Sequence, residues 1–151
     1  MQAKALEATT QDLYDLDFFE WTAHNAQLLR AGRFHEADIQ HIAEEIEDMG
    51  TSERRQLESR LEVLLTHLLK WQAQPSRRGP SWMATIRVQR IRVAKLLRKM
   101  PSLRNTLQEA VHEAYEVSVV LAASQTRLSE DTLPQRCPFT VEQLLDPAFS
   151  P

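Results

Sequence analysis

The sequence predicts an all-α fold, a bundle of about five helices followed by an irregular, proline-rich C-terminal tail. Three observations predict it. Apolar residues recur at intervals of three and four along most of the chain, alternating runs typical of strands are scarce, and only 3 of the 151 residues are glycine. The chain is about as long as one domain and can bury a sizeable core. We therefore expect a single helical domain.

The first helix begins near Asp15 or Asp17, since either carboxylate can cap free N–H groups, and ends at Ala31-Gly32, where glycine can take a left-handed turn. The second is expected from about Glu36 to Met49, ending at Gly50. Its apolar positions predict a side that faces the core: Ile39, Ile42, Ala43, Ile46 and Met49.

The third helix starts after Thr51 or Ser52 and ends before Pro75. Its stripe consists of Leu57, Leu61, Leu64, Leu68 and Trp71. The fourth helix starts at Ser81 and ends before Pro101, with a stripe of Trp82, Ile86, Val93, Leu96 and Leu97. Short connections favour antiparallel neighbours, so we expect Trp71 and Trp82 near the same end of a helix pair.

The fifth helix runs from Ser102 to about Gln125, with a stripe of Leu103, Leu107, Ala110, Ala114, Val117 and Leu121. Four prolines after Leu128 disfavour a long helix in the tail. Thr140 followed by Gln143 indicates a capping box that opens one short helix, Val141–Leu145.

Composition excludes several classes of protein. One cysteine, Cys137, rules out an internal disulfide and a thiolate-rich zinc site within one chain. The N-terminal residues lack the apolar core of a signal peptide, and no window approaches the roughly 18 apolar residues of a membrane span. We expect a cytoplasmic, bacterial-type protein that has no cofactor and no contact with a membrane.

The charges are strongly segregated although the net charge is only −3. Residues 1–50 hold 3 basic and 11 acidic side chains, whereas residues 51–108 hold 13 basic and 3 acidic ones. Residues 75–108 contain nine basic residues and no acid. Such segregation favours an acidic partner or the docking of one part of the protein on another, including assembly into a homo-oligomer.

A helical wheel places five cations of the fourth helix on its exposed side: Arg87, Arg92, Lys95, Arg98 and Lys99. Arg77 and Arg78 lie in the loop that precedes it, Arg90 flanks the apolar stripe and Gln89 lies within it. Three interpretations remain open. The face contacts nucleic-acid phosphates, it contacts an acidic protein, or its cations pair with the acidic first and fifth helices.

A second hypothesis is a metal-dependent, nuclease-like enzyme. Glu44 and Glu45 lie in a carboxylate cluster on the second helix, and His67 lies at the edge of the leucine stripe on the third. A solvated acidic face and a structural histidine are the alternatives. No spacing indicates a metal site: Glu109 and His112 form the single Glu-x-x-His pair, where a di-iron bundle needs two.

Read in order, several segments resemble the bacterial domain-of-unknown-function family 29. The matching stretches are YDLDFFEW at 14–21, QLLRAG at 27–32, EEIEDMG at 44–50, SERR at 52–55, HLLKW at 67–71, WMATI at 82–86, QR at 89–90, PSL at 101–103, CPFT at 137–140 and LLDP at 144–147. The resemblance covers about residues 12–149, which we take as the single domain.

The resemblance implies an all-helical fold and a suggestion of nucleic-acid binding, but no established activity and no catalytic residues to transfer. The positions that carry the signature are Glu44, Glu45, His67, Lys70, Trp71, Trp82, Gln89 and Arg90. Ala73 and Phe139 stand where the family often has tyrosine, so phenolic hydroxyls have no role at these two positions.

Overall fold

A computed structural model of the protein describes residues 10–151. This part of the chain forms six α-helices and no strand, which confirms the all-α fold. The helices are α1 (Thr10–Leu16), α2 (Phe18–Arg30), α3 (Ile39–Ala73), α4 (Pro80–Lys99), α5 (Leu107–Thr126) and α6 (Val141–Leu145).

The start and end of the first predicted helix are confirmed in α2. Asp17 accepts a hydrogen bond from the Glu20 amide at 3.0 Å, which caps the first turn. Gly32 follows the helix with a φ of 72°, a conformation that glycine adopts without strain. The short helix α1 was not predicted, and Asp15 lies inside it.

The prediction of two helices separated at Gly50 is wrong, because α3 continues through this residue to Ala73. A glycine inside a helix costs only about 1 kcal/mol relative to alanine. The flanking glutamates and arginines favour the helix, and no neighbouring atom lies within 4 Å of the position that a Gly50 Cβ would occupy. The glycine is therefore tolerated here rather than required.

The predicted ends of the later helices are mostly confirmed. The fifth helix starts later than expected, at Leu107, because Pro101–Thr106 form a 3₁₀ turn. The capping box of α6 is present: Thr140 Oγ1 accepts from the Gln143 amide at 3.2 Å, and Gln143 Oε1 accepts from the Thr140 amide at 2.9 Å.

The chain divides into two compact units, here called the N-terminal unit (described residues 10–51) and the C-terminal unit (residues 52–151). The C-terminal unit contains the leucine core that the stripes of α3, α4 and α5 predict. Two positions of the α5 stripe are wrong, because Val117 and Leu121 are exposed. Ser118 is buried instead, with its hydroxyl donating to the carbonyls of Ala114 and Glu62.

In the N-terminal unit, the predicted core side of the second helix is wrong in part. Ile39, Ala43, Ile46 and Met49 are exposed on α3. The buried residues are instead Trp21 and Leu28 together with two polar side chains, Asn25 and Asp38. No helix within residues 10–151 is both long and apolar enough to cross a bilayer.

Candidate functional site

The basic face of α4 is the most distinctive charged surface of the C-terminal unit. Pro80 opens the helix, where its missing N–H costs nothing, and Pro101 follows its end. All five cations predicted on the outer side of α4 are exposed: Arg87, Arg92, Lys95, Arg98 and Lys99. From Arg87 to Lys99 the face extends about 18 Å at 1.5 Å per residue.

These five cations, the basic face, form no ion pair with any other residue of the described chain. The carboxylates of Glu109 and Glu113 on α5 lie instead 3.3 and 3.6 Å from Nη2 of Arg54, which also contacts Glu58 at 3.2 Å. Burial and the nearby Glu113 raise the pKa of Glu58. The acids at the start of the fifth helix therefore neutralise Arg54 on α3 rather than α4.

Two signature residues of α4, Gln89 and Arg90, are buried. Arg90 is buried and donates to the carbonyls of Leu144 (2.9 Å), Phe149 (2.7 Å) and Gln143 (3.1 Å). It thereby fixes the tail to α4 and is not part of the exposed face. Gln89 is also buried, and its Oε1 has no hydrogen-bond partner within the described residues.

A groove of about 610 Å³ lies between α4 and the tail. Its walls are mostly apolar and include Met83, Ile86, Ile91, Leu145 and Pro147, with Arg87 at its margin. Ile91 is 57% exposed, so the groove is continuous with an apolar area beside the basic face. The surface therefore offers apolar contacts next to unpaired cations.

The loop before α4 connects the predicted tryptophans to cations. Arg78 lies over the Trp71 ring, with Cζ 5.3 Å from its centroid, and donates from Nε to the Trp71 carbonyl at 2.7 Å. Arg78 is thus partly engaged within the loop, whereas Arg77 is exposed and has no ion pair within residues 10–151. Both tryptophans are half-buried.

Lys70 is buried and has no carboxylate partner in the described chain. Its Nζ donates to Gln125 Oε1 at 3.0 Å and lies 4.6 Å from the centroid of the Trp82 ring. Burial lowers the pKa of Lys70. The lysine therefore links α3, α4 and α5 through an amide and an aromatic face.

The residues of the enzyme hypothesis belong to different units. Glu44 is exposed, and Glu45 accepts a hydrogen bond from the Tyr14 hydroxyl at 2.6 Å in the N-terminal unit. His67 belongs to the C-terminal unit, where its Nδ1 lies 2.9 Å from the Val63 carbonyl and burial lowers its pKa. Among residues 10–151, no three His, Cys, Asp or Glu side chains are grouped so that they would hold a metal.

Sequence reasoning missed a polar cluster around Asp38 and His41 in the N-terminal unit. The Asp38 carboxylate is buried and accepts hydrogen bonds from Trp21 Nε1 at 3.0 Å and from His41 Nδ1 at 2.7 Å, while Asn25 Oδ1 accepts from the Asp38 amide at 2.8 Å. The Tyr14 ring stacks on His41 with centroids 3.9 Å apart. The one sequence signal was an Asp three residues before a His at a helix start.

The hydrogen bonds of this cluster shift the pKa values of both Asp38 and His41. Burial alone would raise the pKa of Asp38, but the hydrogen bonds from His41 and Trp21 outweigh it and hold that pKa below its usual range. The bond to Asp38 raises the pKa of His41. The Asp38 carboxylate orients Nδ1 of His41 and leaves Nε2 as the other nitrogen of the imidazole, an arrangement also found in acid–base catalysis. His41 is not among the residues that line the groove beside α4.

The helical packing and the basic face of α4 define the described part of the chain as all-α, with one highly basic helix surface. Its sequence matches the family described as domain of unknown function DUF29 over residues 13–150. The protein therefore belongs to this family. Comparison with curated proteins and with solved structures finds no match.

Proposed function

We propose that the protein is a non-enzymatic helical module that binds the phosphate backbone of nucleic acid through the basic face of α4, assisted by Arg77. The observation that supports this most is the set of five exposed cations without ion pairs in the described chain. Cations that remain unpaired release counterions from a polyanion at no cost in broken salt bridges. A bacterial, cytoplasmic location is part of the proposal.

Contact with phosphates, rather than base reading, fits the composition of the face. Lysine and arginine on one helix supply charge, and about 18 Å of helix spans roughly five nucleotide steps along one strand. The rings of Trp71 and Trp82 each contact a cation of the loop or core, so they do not form a free stacking platform. We therefore expect binding with little sequence preference and a strong dependence on salt.

The test is a titration of the protein into fluorescent single-stranded and double-stranded oligonucleotides at two salt concentrations. The test variant carries Arg87→Glu, Arg92→Glu and Lys95→Glu. The matched control carries Arg30→Glu, Arg55→Glu and Arg136→Glu, which changes the net charge equally at other exposed positions.

We expect the wild-type affinity to fall steeply with salt and the test variant to lose most binding. Each lost phosphate contact removes about 0.9 from the slope of log affinity against log salt, so the slope falls by about 3 for the triple variant. The control should retain most of the affinity. Absence of binding at low salt, or equal losses in both variants, would contradict the proposal.

A further inference from the structure

The N-terminal unit has an apolar surface that its own described residues do not cover. Ile46 is 63% exposed, Met49 is 67% exposed and Ile39 is also exposed, all on α3. With 100° per residue, these three side chains occupy an arc of about 80° and extend about 15 Å along the helix. We call this set the α3 stripe. Contiguous exposed apolar residues of this kind mark interaction surfaces.

Carboxylates border the α3 stripe at both edges. With Ile39 at 0° and Met49 at about 280°, Glu45 lies at about 240° and accepts a hydrogen bond from the Tyr14 hydroxyl. Glu47 lies at about 80°, beside the other edge, whereas Glu44 lies at about 140°, opposite the middle of the stripe. Both are exposed. The stripe is thus an apolar surface with an acidic margin at Glu47.

The groove beside α4 has the complementary composition. Met83, Ile91 and Ala94 line it over about 16 Å of helix, and Arg87 lies among them. Arg92 lies about 140° further around α4 than Arg87, away from the groove. The chain therefore carries both the α3 stripe, with Glu47 beside it, and an apolar strip of similar length that includes the cation Arg87.

We propose that the α3 stripe of one molecule docks into the groove beside α4 of a second copy, with Glu47 next to Arg87. Opposite charges and similar lengths favour this pairing. Pairing of two α3 stripes would instead bring the Glu47 carboxylates of both copies together, which costs free energy. This self-association goes beyond the proposed function, because it uses the groove and Arg87 but not the remainder of the basic face.

Sedimentation velocity over a range of protein concentrations, at low salt and at about 0.5 M NaCl, measures the association. We expect a mass increase with concentration that salt weakens. Ile46→Ser and Glu47→Lys should each weaken self-association by about tenfold or more, because they remove buried apolar area and reverse a charge at the contact. Circular dichroism checks that these exposed substitutions leave the helix content intact.

The matched control is Glu44→Lys, which makes the same charge change three residues earlier along α3, at an exposed position opposite the middle of the α3 stripe. It should change self-association less than about threefold. An equal effect of Glu44→Lys and Glu47→Lys would overturn the proposed contact in favour of a general effect of net charge.

Mixing gives a sharper test. Chains with Glu47→Lys place a lysine opposite Arg87, and chains with Arg87→Glu place a glutamate opposite Glu47. Each variant alone should therefore self-associate about tenfold or more weakly than the wild type. In a mixture of the two, every contact joins opposite charges, and association should return. Failure of the mixture to associate when both variants are folded would overturn the proposal.

Oligonucleotide binding separates this proposal from the proposed function. Arg92→Glu should weaken oligonucleotide binding and leave self-association unchanged, whereas Glu47→Lys should do the reverse. A wild-type protein that remains monomeric at every concentration overturns the self-association and leaves the nucleic-acid result standing. A wild-type protein that self-associates but does not bind oligonucleotides overturns the proposed function and leaves the self-association standing.

Discussion

The two units of the protein are stabilised in different ways. In the C-terminal unit, Leu57, Leu61, Leu64, Leu65 and Leu68 on α3 are 0% exposed and pack in one apolar core. In the N-terminal unit, a buried carboxylate accepts directional hydrogen bonds from a tryptophan and a histidine, while large apolar side chains remain exposed.

The difference teaches that helical periodicity does not determine what a helix buries. The same helix α3 presents a leucine stripe that is fully buried and an isoleucine–methionine stripe that is not. Burial of apolar area stabilises without directional requirements, at about 25 cal/mol per Å². Hydrogen bonds to a buried carboxylate depend on geometry, so the N-terminal unit is more sensitive to polar changes.

The largest expected effect is in the leucine core. Leu65→Ala should lower the free energy of unfolding by about 2–5 kcal/mol, because it removes buried methyl groups and leaves a cavity. Urea denaturation measures the loss. Val120→Ala on the exposed side of α5 is the control and should change the value by less than about 0.5 kcal/mol. Similar losses in both would show that the core is not where α3, α4 and α5 place it.

Arg90 tests whether the C-terminal unit also depends on a polar contact. Arg90→Met should cost about 3 kcal/mol, because three tail carbonyls lose a charged donor. Limited proteolysis should cut residues 141–151 faster in this variant. Arg92→Met, at an exposed position of the same helix, is the control. Arg90→Lys should be destabilised as well, since lysine lacks the planar guanidinium that reaches several carbonyls at once. Wild-type stability of Arg90→Lys would contradict the role of Arg90 in holding the tail.

Much of the fold could be predicted from the sequence. The leucine stripe of α3, the ends of α4 beside Pro80 and Pro101, and the capping box of α6 follow from local rules that the structure confirms. The continuity of α3 through Gly50 could not be predicted, because one glycine lowers helix stability only slightly and the flanking residues decide whether the helix continues. Local sequence patterns therefore predicted the positions of the helices better than the points where one helix ends and the next begins.

The candidate site was predictable only in part. The wheel placed the five α4 cations on the outer side, where the structure shows them exposed. Whether they were neutralised depended on side chains distant in sequence: Arg54 pairs with Glu109 and Glu113, more than 50 residues away. The Asp38–His41 cluster was missed for a related reason, since Trp21 and Tyr14 complete it from other helices.

A substitution at Asp38 tests whether buried hydrogen bonds stabilise the N-terminal unit. Asp38→Asn should destabilise the N-terminal unit by about 2 kcal/mol, because Trp21 Nε1 and His41 Nδ1 lose a charged acceptor. Amide hydrogen exchange of α2 and residues 39–51 measures the loss of stability in the N-terminal unit separately from the C-terminal unit. Asp48→Asn, an exposed acid on the same helix, should leave exchange unchanged. Faster exchange confined to the C-terminal unit would contradict the assignment.

The smallest effect distinguishes the two units by pH. The bond to Asp38 raises the pKa of His41 above its usual value near 6.5, so its contribution to stability is present below that pH and is lost as pH rises through the folded-state pKa. Burial lowers the pKa of His67, so its contribution has the opposite sign: the C-terminal unit loses stability as pH falls from about 6.5 through the lower pKa.

Acidification from about pH 8 to pH 5.5 should therefore slow hydrogen exchange in the N-terminal unit and speed it in the C-terminal unit, after correction for the intrinsic rate. Other groups face His41: Asp38 before α3, Glu44 on α3 and Asp15 on α1. The pKa of Asp38 is itself lowered, so it stays ionised over this range. His41→Gln should remove the pH dependence of the N-terminal unit alone, and His67→Gln that of the C-terminal unit alone. If acidification changes exchange in both units in the same direction, the pKa values of His41 and His67 are not shifted in opposite directions, and the prediction is wrong.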